Sequence, residues 1–174
     1  MIIDEVQTGF GRTGKWFGIE NFGVVPDIIS MAKALGAGVP VGAIATTDEI
    51  SKTLTPGTHG TTFGGNPLVS ASVKATIDIM KEEKLVENSR DMGAYLKGKL
   101  SSIVSDEITE VRGMGLIIGT EMKTKAGGFR EYCLDNGVLV NVCHGNTVRM
   151  IPPLIINKEQ CDKVFSMMKT YLNA

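Results

Sequence analysis

The sequence has little of what several common classes of protein require. Its three cysteines, Cys133, Cys143 and Cys161, are odd in number and have no C-x-x-C spacing, which predicts reduced thiols rather than a disulfide framework. The two histidines, His59 and His144, lie far apart in the chain, so no zinc or other metal site is expected. A formal net charge of −1 predicts no broad attraction to nucleic acid or to an anionic membrane. No apolar run approaches the roughly 20 residues that span a bilayer.

The composition that remains is typical of a globular enzyme. The 174 residues are 43% hydrophobic and 21% charged, and the 21 glycines concentrate before residue 66 and between residues 113 and 145. Many of these glycines lie beside short apolar segments, as in a protein with many turns between strands and loops. Because the first residues contain no basic region followed by an apolar stretch, we expect no signal peptide and a cytoplasmic location.

Two well-known glycine patterns overlap near the start of the chain. Gly9, Gly11 and Gly14 spell G-x-G-x-x-G, and residues 9–15 spell G-x-x-x-x-G-K. A phosphate loop needs Ser or Thr after the lysine, where Trp16 stands, and a dinucleotide fingerprint should open a helix. The residues after Gly14 have no helical period, so neither nucleotide motif is expected. A flexible surface loop is the simpler alternative.

The order of the predicted elements favours an α/β fold. Apolar runs typical of buried parallel strands occupy Met1–Ile3, Ile28–Met31 and Val41–Ala45. Asn66-Pro67 is a helix start, and Asn157 with Gln160 predicts a capping box for the last helix. A charge cluster at residues 81–84 suggests a domain boundary, with 1–83 as part of a larger domain and 84–174 as a small α+β domain.

Two polar residues follow predicted strands and could carry chemistry. Lys33 lies in an apolar run of small residues, where it either reaches solvent or is desolvated as a nucleophilic amine. Asp4 ends the first strand, and by itself it could be an ordinary turn residue. Ligands of open α/β sheets bind at the carboxyl ends of strands. A carboxylate and a Schiff-base lysine at that edge are what pyridoxal phosphate requires.

Several blocks of sequence resemble one family. "DEVQTGFGRTG" at 4–14, Lys33, "GTHGTTFGGNP" at 57–67, "VRGMGLIIGTE" at 111–121 and "VRMIPPLII" at 148–156 look like class III pyridoxal-phosphate aminotransferases. The resemblance covers the whole chain and implies the C-terminal part of a fold type I pyridoxal-phosphate transferase. This part would hold a partial large-domain sheet and the small C-terminal domain. Within the class, the chain is most similar to acetylornithine aminotransferases, with ornithine and 4-aminobutyrate aminotransferases as near relatives.

The resemblance implies roles for five residues. Asp4 would pair with the pyridine nitrogen, and Gln7 would hydrogen-bond near the 3-oxygen of the ring. Lys33 would form the Schiff base and then move the proton during catalysis. Thr62 would bind the cofactor phosphate in the neighbouring subunit of a homodimer. Arg149 would bind a substrate carboxylate or form a salt bridge near the pocket, since an arginine in a strand needs a partner.

The implied activity is transfer of an ω-amino group between a small-molecule amino donor and a 2-oxo acid. N-acetylornithine and 2-oxoglutarate, in arginine biosynthesis, are the expected pair. The family enzyme is more than twice as long, so we expect a fragment that lacks the front half and has little or no activity alone. A non-catalytic module, or a subunit completed by another chain, is the alternative.

Overall fold

The computed structural model describes residues 1–173, which form two compact units. The first unit is Met1–Val86 and the second begins at Glu87. The division lies within helix α3 (Leu85–Ser101), close to the predicted boundary at 83/84. That the first unit is part of a large domain and the second a small domain remains a prediction.

The first unit contains a three-stranded sheet with strand order β1-β2-β3. Its elements are β1 (Ile2–Asp4), a 3-10 helix (Gly18–Phe22), β2 (Ile28–Met31), a second 3-10 helix (Lys33–Gly36), β3 (Ala43–Thr46), α1 (Asp48–Ser51) and α2 (Pro67–Glu82). Strands β1 and β2 are parallel, with Asp4 opposite Ser30, and β2 and β3 are antiparallel. The carboxyl ends of β1 and β2 therefore lie at the same edge of the sheet.

Two expectations for these strands were wrong. The sequence predicted buried parallel strands, but Ile2 is 71% exposed and β3 is antiparallel and mostly exposed. Strand β3 also begins at Ala43 rather than Val41. The connection over 32–42 contains only a short 3-10 helix, and a parallel return would need a crossover of a dozen or more residues. An apolar run therefore predicted that a strand forms, but it predicted neither the direction of β3 nor whether other residues bury the strand.

The predicted start of α2 is confirmed. The Asn66 side chain accepts a hydrogen bond from the Val69 backbone N–H at 3.1 Å, and Pro67 is the first helical residue. The side chains of Leu35 and Met80 are among the few buried apolar groups of this unit. The hydroxyl of Ser72 on α2 donates to the Gly36 carbonyl at 3.0 Å, which joins the helix to the 3-10 helix that begins with Lys33.

The second unit is an α+β arrangement around an antiparallel sheet of order β4-β5-β7-β6. Its elements after α3 are β4 (Ile108–Met114), β5 (Ile117–Met122), α4 (Ala126–Asp135), β6 (Asn141–Cys143), β7 (Thr147–Met150) and α5 (Lys158–Asn173). Fully buried side chains from α3, the sheet, α4 and α5 form one core, including Leu96, Leu100, Ile118, Phe129, Val148 and Met168.

The local signals in this unit have mixed outcomes. The capping box is confirmed, because Asn157 Oδ1 accepts from Gln160 N at 2.9 Å and Gln160 Oε1 accepts from Asn157 N at 3.1 Å. Gly137 follows α4 with φ of 72°, as a helix-ending glycine does. Strand β6 is short and spans only Asn141–Cys143, although the apolar residues of this segment begin at Val138. Among residues 1–173, no helix is both long enough and apolar enough to cross a membrane.

Candidate active site

Lys33 begins the second 3-10 helix, two residues after β2 ends. Its backbone has φ of 45°, in the left-handed region that residues other than glycine rarely adopt. Of the two alternatives for Lys33, its side chain reaches solvent within the described part of the chain, where the residue is exposed. Its Nζ donates a hydrogen bond to Oε1 of Gln7 at 2.8 Å. This contact joins two residues that lie 26 positions apart in the chain.

Asp4 lies at the end of β1, the strand beside the one that leads to Lys33. Its Oδ1 accepts a hydrogen bond from Val6 N at 2.8 Å and lies 3.4 Å from the Ser30 hydroxyl. These contacts use one oxygen of an exposed carboxylate. The parallel pairing of β1 with β2 thus brings Asp4, Gln7 and Lys33 to one edge of the sheet, as the sequence predicted for Asp4 and Lys33.

The glycine-rich segment after Gln7 is not a nucleotide motif. Residues 9–17 form turns and bends, with Gly14 N donating to the Gly11 carbonyl at 3.0 Å, and only the short 3-10 helix Gly18–Phe22 follows instead of an α-helix. The alternative of a flexible surface loop is also wrong, since Gly9, Phe10 and Gly11 are buried. A Cβ at position 9 would lie 2.8 Å from the Glu5 carbonyl, so the loop packs too closely for a larger residue.

Glu5 is the residue of this segment that the sequence reasoning missed. It is only 1% exposed, and its carboxylate accepts hydrogen bonds from Gly18 N at 2.9 Å, from Ile19 N at 2.7 Å and from the Thr8 hydroxyl. An acidic residue beside Asp4 at a strand end gave no signal of burial, because its partners come from 13 and 14 residues further along the chain.

Thr62 lies in the exposed segment between α1 and α2. Its hydroxyl forms no hydrogen bond with Asp4, Gln7 or Lys33 within residues 1–173. The first unit therefore brings together the residues expected at the ring and the aldehyde of the cofactor, but it does not bring Thr62 into contact with them.

Arg149 belongs to the second unit, on the central strand β7, opposite Gly119 of β5 and Asn141 of β6. Its Nε is buried and has no hydrogen-bond partner among the described residues. Arg149 was expected either to bind a substrate carboxylate or to form a salt bridge. Within residues 1–173 it forms no salt bridge. Arg149 also lines a cavity of about 850 Å³ whose walls are mainly apolar, including Val138, Ile151 and Pro152.

The candidate residues supply an amine, a carboxylate and an amide. No group of three or more His, Cys, Asp or Glu side chains within residues 1–173 could hold a metal ion. The set at the edge of the first sheet can therefore bind a ring that carries a carbonyl group and a basic nitrogen.

Comparison with known proteins identifies the family. The sequence profile described as "Aminotransferase class-III" matches residues 1–172. The chain belongs to this family. Its members use pyridoxal phosphate, which matches the amine and carboxylate at the sheet edge. The chain is 52% identical over 169 residues to the acetylornithine aminotransferase of Methanosarcina mazei, covering 97% of this chain and 42% of that enzyme. It is 46% identical over 165 residues to ornithine aminotransferase 1 of Staphylococcus aureus, covering 94% of this chain and 42% of that protein.

Solved structures agree with this assignment. The crystal structure of acetylornithine aminotransferase from Elizabethkingia anophelis matches with a TM-score of 0.92 and 36% identity, over 99% of this chain and 47% of that one. The ornithine aminotransferase of Toxoplasma gondii matches with a TM-score of 0.93 and 33% identity, over 99% and 42%. The fold is therefore that of part of a pyridoxal-phosphate-dependent aminotransferase. The chain spans less than half the length of these relatives.

Proposed function

We propose that this chain carries the lysine-bearing part of an enzyme that transfers an ω-amino group, with N-acetylornithine as donor and 2-oxoglutarate as acceptor. The observation that carries the proposal is the contact between Lys33 Nζ and Gln7 Oε1 at 2.8 Å, at the sheet edge that Asp4 also occupies. The names of the Methanosarcina mazei enzyme and of the Elizabethkingia anophelis structure support the choice of donor.

The residues present fit the ring and aldehyde of pyridoxal phosphate. Asp4 has a carboxylate oxygen that accepts no hydrogen bond in the described chain, and a carboxylate is the partner that keeps a pyridine nitrogen protonated. Lys33 supplies a primary amine for the aldehyde, and the Gln7 amide can donate through its nitrogen to the 3-oxygen. For the phosphate, Thr62 contributes one hydroxyl on an exposed loop.

Asp4, Lys33 and Gln7 then have different roles in the reaction. Bound pyridoxal phosphate supplies an electron sink for the bond that breaks at the substrate carbon. Asp4 maintains the positive charge on the ring nitrogen. When its amine is not bonded to the cofactor, Lys33 would take a proton from the amino-bearing carbon of the substrate and return it to the aldehyde-derived carbon of the cofactor. Gln7 restricts where that amine can lie, because its Oε1 accepts from Nζ.

Arg149 is assigned to the substrate carboxylate. A guanidinium group offers two parallel N–H donors, which match the two oxygens of a carboxylate. Both substrates of the proposed reaction carry carboxylates, and a partly apolar cavity strengthens such a pair by excluding water. This role, the contribution of Thr62 to a neighbouring subunit of a homodimer, and a cytoplasmic location are proposals.

Reductive labelling tests the proposal directly. The purified chain is incubated with pyridoxal phosphate, reduced with borohydride, and digested for mass spectrometry. We expect pyridoxyl label on Lys33 in preference to Lys52, an exposed lysine of the same unit. The variant Lys33→Arg keeps the charge but removes the nucleophilic amine, so label at position 33 should disappear while label on Lys52 stays unchanged.

Label spread evenly over the lysines of the wild-type chain would contradict the cofactor assignment and would favour a non-catalytic module. Selective label without turnover is the expected result for the chain alone. Ornithine is the second candidate donor, since relatives of comparable identity are named ornithine aminotransferases.

A further inference from the structure

The turn that carries Gln7 is held by Glu5, the residue directly after Asp4. The backbone N–H of Glu5 donates to the Ser30 carbonyl at 2.9 Å, which extends the β1–β2 ladder past Asp4. Its carbonyl accepts from Gly9 N at 2.9 Å and closes a single turn over residues 5–9. Gln7 lies in the middle of this turn, so its position depends on the hydrogen bonds that hold the two ends of the turn.

The Glu5 side chain fixes the same turn to the following loop. Its Oε2 accepts from Gly18 N at 2.9 Å and from the hydroxyl of Thr8, the residue after Gln7. Its Oε1 accepts from Ile19 N at 2.7 Å. A carboxylate that is 1% exposed and accepts from backbone N–H groups is a rigid anchor, because leaving those donors unpaired in the interior is costly.

The space around the carboxylate is also closely filled. A Cβ at Gly18 would lie 3.0 Å from the Thr8 Cβ and 3.1 Å from Glu5 Oε2. The Thr8, Gly18 and Glu5 groups thus have little room to shift relative to one another. Movement of the turn would have to break several hydrogen bonds at once.

We propose that Glu5 is a positioning residue: its buried carboxylate holds the 5–9 turn so that Gln7 Oε1 receives Lys33 Nζ at the sheet edge. The inference rests on the proposed function, since it concerns the lysine assigned to the cofactor. The Glu5 carboxylate accepts hydrogen bonds from Thr8, Gly18 and Ile19, so in this proposal it acts on Lys33 only through Gln7.

The variant Glu5→Gln is the sharpest test. An amide has one acceptor oxygen where the carboxylate has two, so either Ile19 N or the Gly18 and Thr8 donors would face an NH₂ group. The control is Glu20→Gln in the same segment. Glu20 is exposed, and among residues 1–173 its Oε1 accepts a hydrogen bond only from Phe17 N, at 2.7 Å, which a glutamine oxygen can also accept.

Three measurements on the 174-residue chain separate a positioning role from loss of folding. Circular dichroism monitors the fold, and hydrogen exchange of the Gly18 and Ile19 amides reports the anchor. Pyridoxal phosphate with borohydride gives the ratio of label on Lys33 to label on Lys52. For Glu5→Gln we expect amide exchange to accelerate and the labelling ratio to fall, each by about tenfold, the effect of losing one charged hydrogen bond.

A double-mutant cycle with Gln7→Ala shows whether Glu5 acts through Gln7. If it does, the labelling ratio of the double variant equals that of Gln7→Ala, whereas effects that multiply would overturn the proposal. Equal ratios for Glu5→Gln and wild type would also overturn it. Should Glu5→Gln unfold, Thr8→Val, which removes one donor to Oε2 and keeps the shape, is measured in its place.

Acetylation with acetic anhydride tests the role of Glu5 independently of the proposed function. If wild-type Lys33 is not preferred by pyridoxal phosphate, the proposed function fails. The Lys33-to-Lys52 acetylation ratio still tests the anchor, because acetylation needs only a free amine and no positioned ring. Release of the Lys33 amine from Gln7 should therefore raise the acetylation ratio equally in Glu5→Gln, in Gln7→Ala and in the double variant. An unchanged ratio in Glu5→Gln would refute the anchor independently of the cofactor.

Discussion

At the residue scale, the sequence predicted the positions of the candidate catalytic side chains better than it predicted their exposure and backbone conformation. Asp4 and Lys33 were identified from their places after apolar strands, and the structure brings both to one sheet edge. The exposure of Lys33 and its φ of 45° were not predictable, because the 3-10 helix Lys33–Gly36 is held by a hydrogen bond from Ser72 of α2, a residue far along the chain. Local sequence indicates where a strand ends, but it does not give the backbone conformation of the next residues.

The three cysteines offer a prediction at the same scale. Burial raises the pKa of the Cys133 thiol to about 11, and burial is also the main cause of the raised pKa of Cys161. Cys143, on the edge strand β6, is partly exposed. Since the thiolate is the nucleophile, we expect iodoacetamide at pH 8 to modify Cys143 first in the native chain.

Peptide mapping by mass spectrometry after timed quenching would measure the three rates. Alkylation of Cys133 as fast as Cys143 in the native chain would contradict the burial of Cys133. The same reaction in concentrated urea is the control, where all three thiols should react at similar rates.

At the scale of elements, the contact between α3 and the β4–β5 hairpin depends on one glycine. A Cβ added at Gly93 would overlap the backbone of Gly115, including its Cα at 2.6 Å. Gly115 has φ of 51°, so the tight turn and the close helix approach occur at the same point. Gly98 lies on the same helix, and a Cβ there would meet nothing within 4 Å.

These two glycines form a matched pair of variants. Gly93→Ala should lower the free energy of unfolding by about 1–3 kcal/mol, because backbone must move to admit the methyl group. Gly98→Ala should raise it by about 0.5–1 kcal/mol through higher helix propensity. Urea denaturation of both variants measures the difference, and equal effects of the two substitutions would show that α3 does not pack closely on the turn.

At the scale of the whole molecule, the two units differ in how much apolar surface they cover. The second unit has a continuous core contributed by three helices and four strands. In the first unit, large apolar side chains such as Ile2, Val25, Phe63 and Leu68 are exposed. The chain spans 42% of the Methanosarcina mazei enzyme, so the proposed reaction is a property to be tested in a full-length context.

A chimera provides that context. Replacing the matching part of the Methanosarcina mazei acetylornithine aminotransferase with this chain should give an active enzyme. Its kcat/KM for N-acetylornithine should exceed that for ornithine by about tenfold or more, as expected when a site accommodates one side-chain group better than another. The variant Lys33→Ala in the chimera should abolish turnover. A preference for ornithine would transfer the assignment to that donor.

The order of the elements followed from the sequence because the signals were local. The capping residues Asn66 and Asn157, Gly137 and the apolar strands each act over a few positions. Strands β1, β2 and β3 and helices α2 and α5 accordingly begin within two residues of their predicted starts. The family also followed from the sequence, because its motifs occupy short blocks in a recognisable order.

The tertiary structure alone decided what depends on residues distant in the chain. It made β3 antiparallel, left β1 exposed, buried Glu5 beneath the N–H groups of Gly18 and Ile19, and left the Nε of Arg149 without a partner. Each of these outcomes depends on which groups from other segments of the chain pack against the residue or form hydrogen bonds with it. Residue type and spacing determine what a segment can form, whereas burial and pairing are settled only when the separate segments pack.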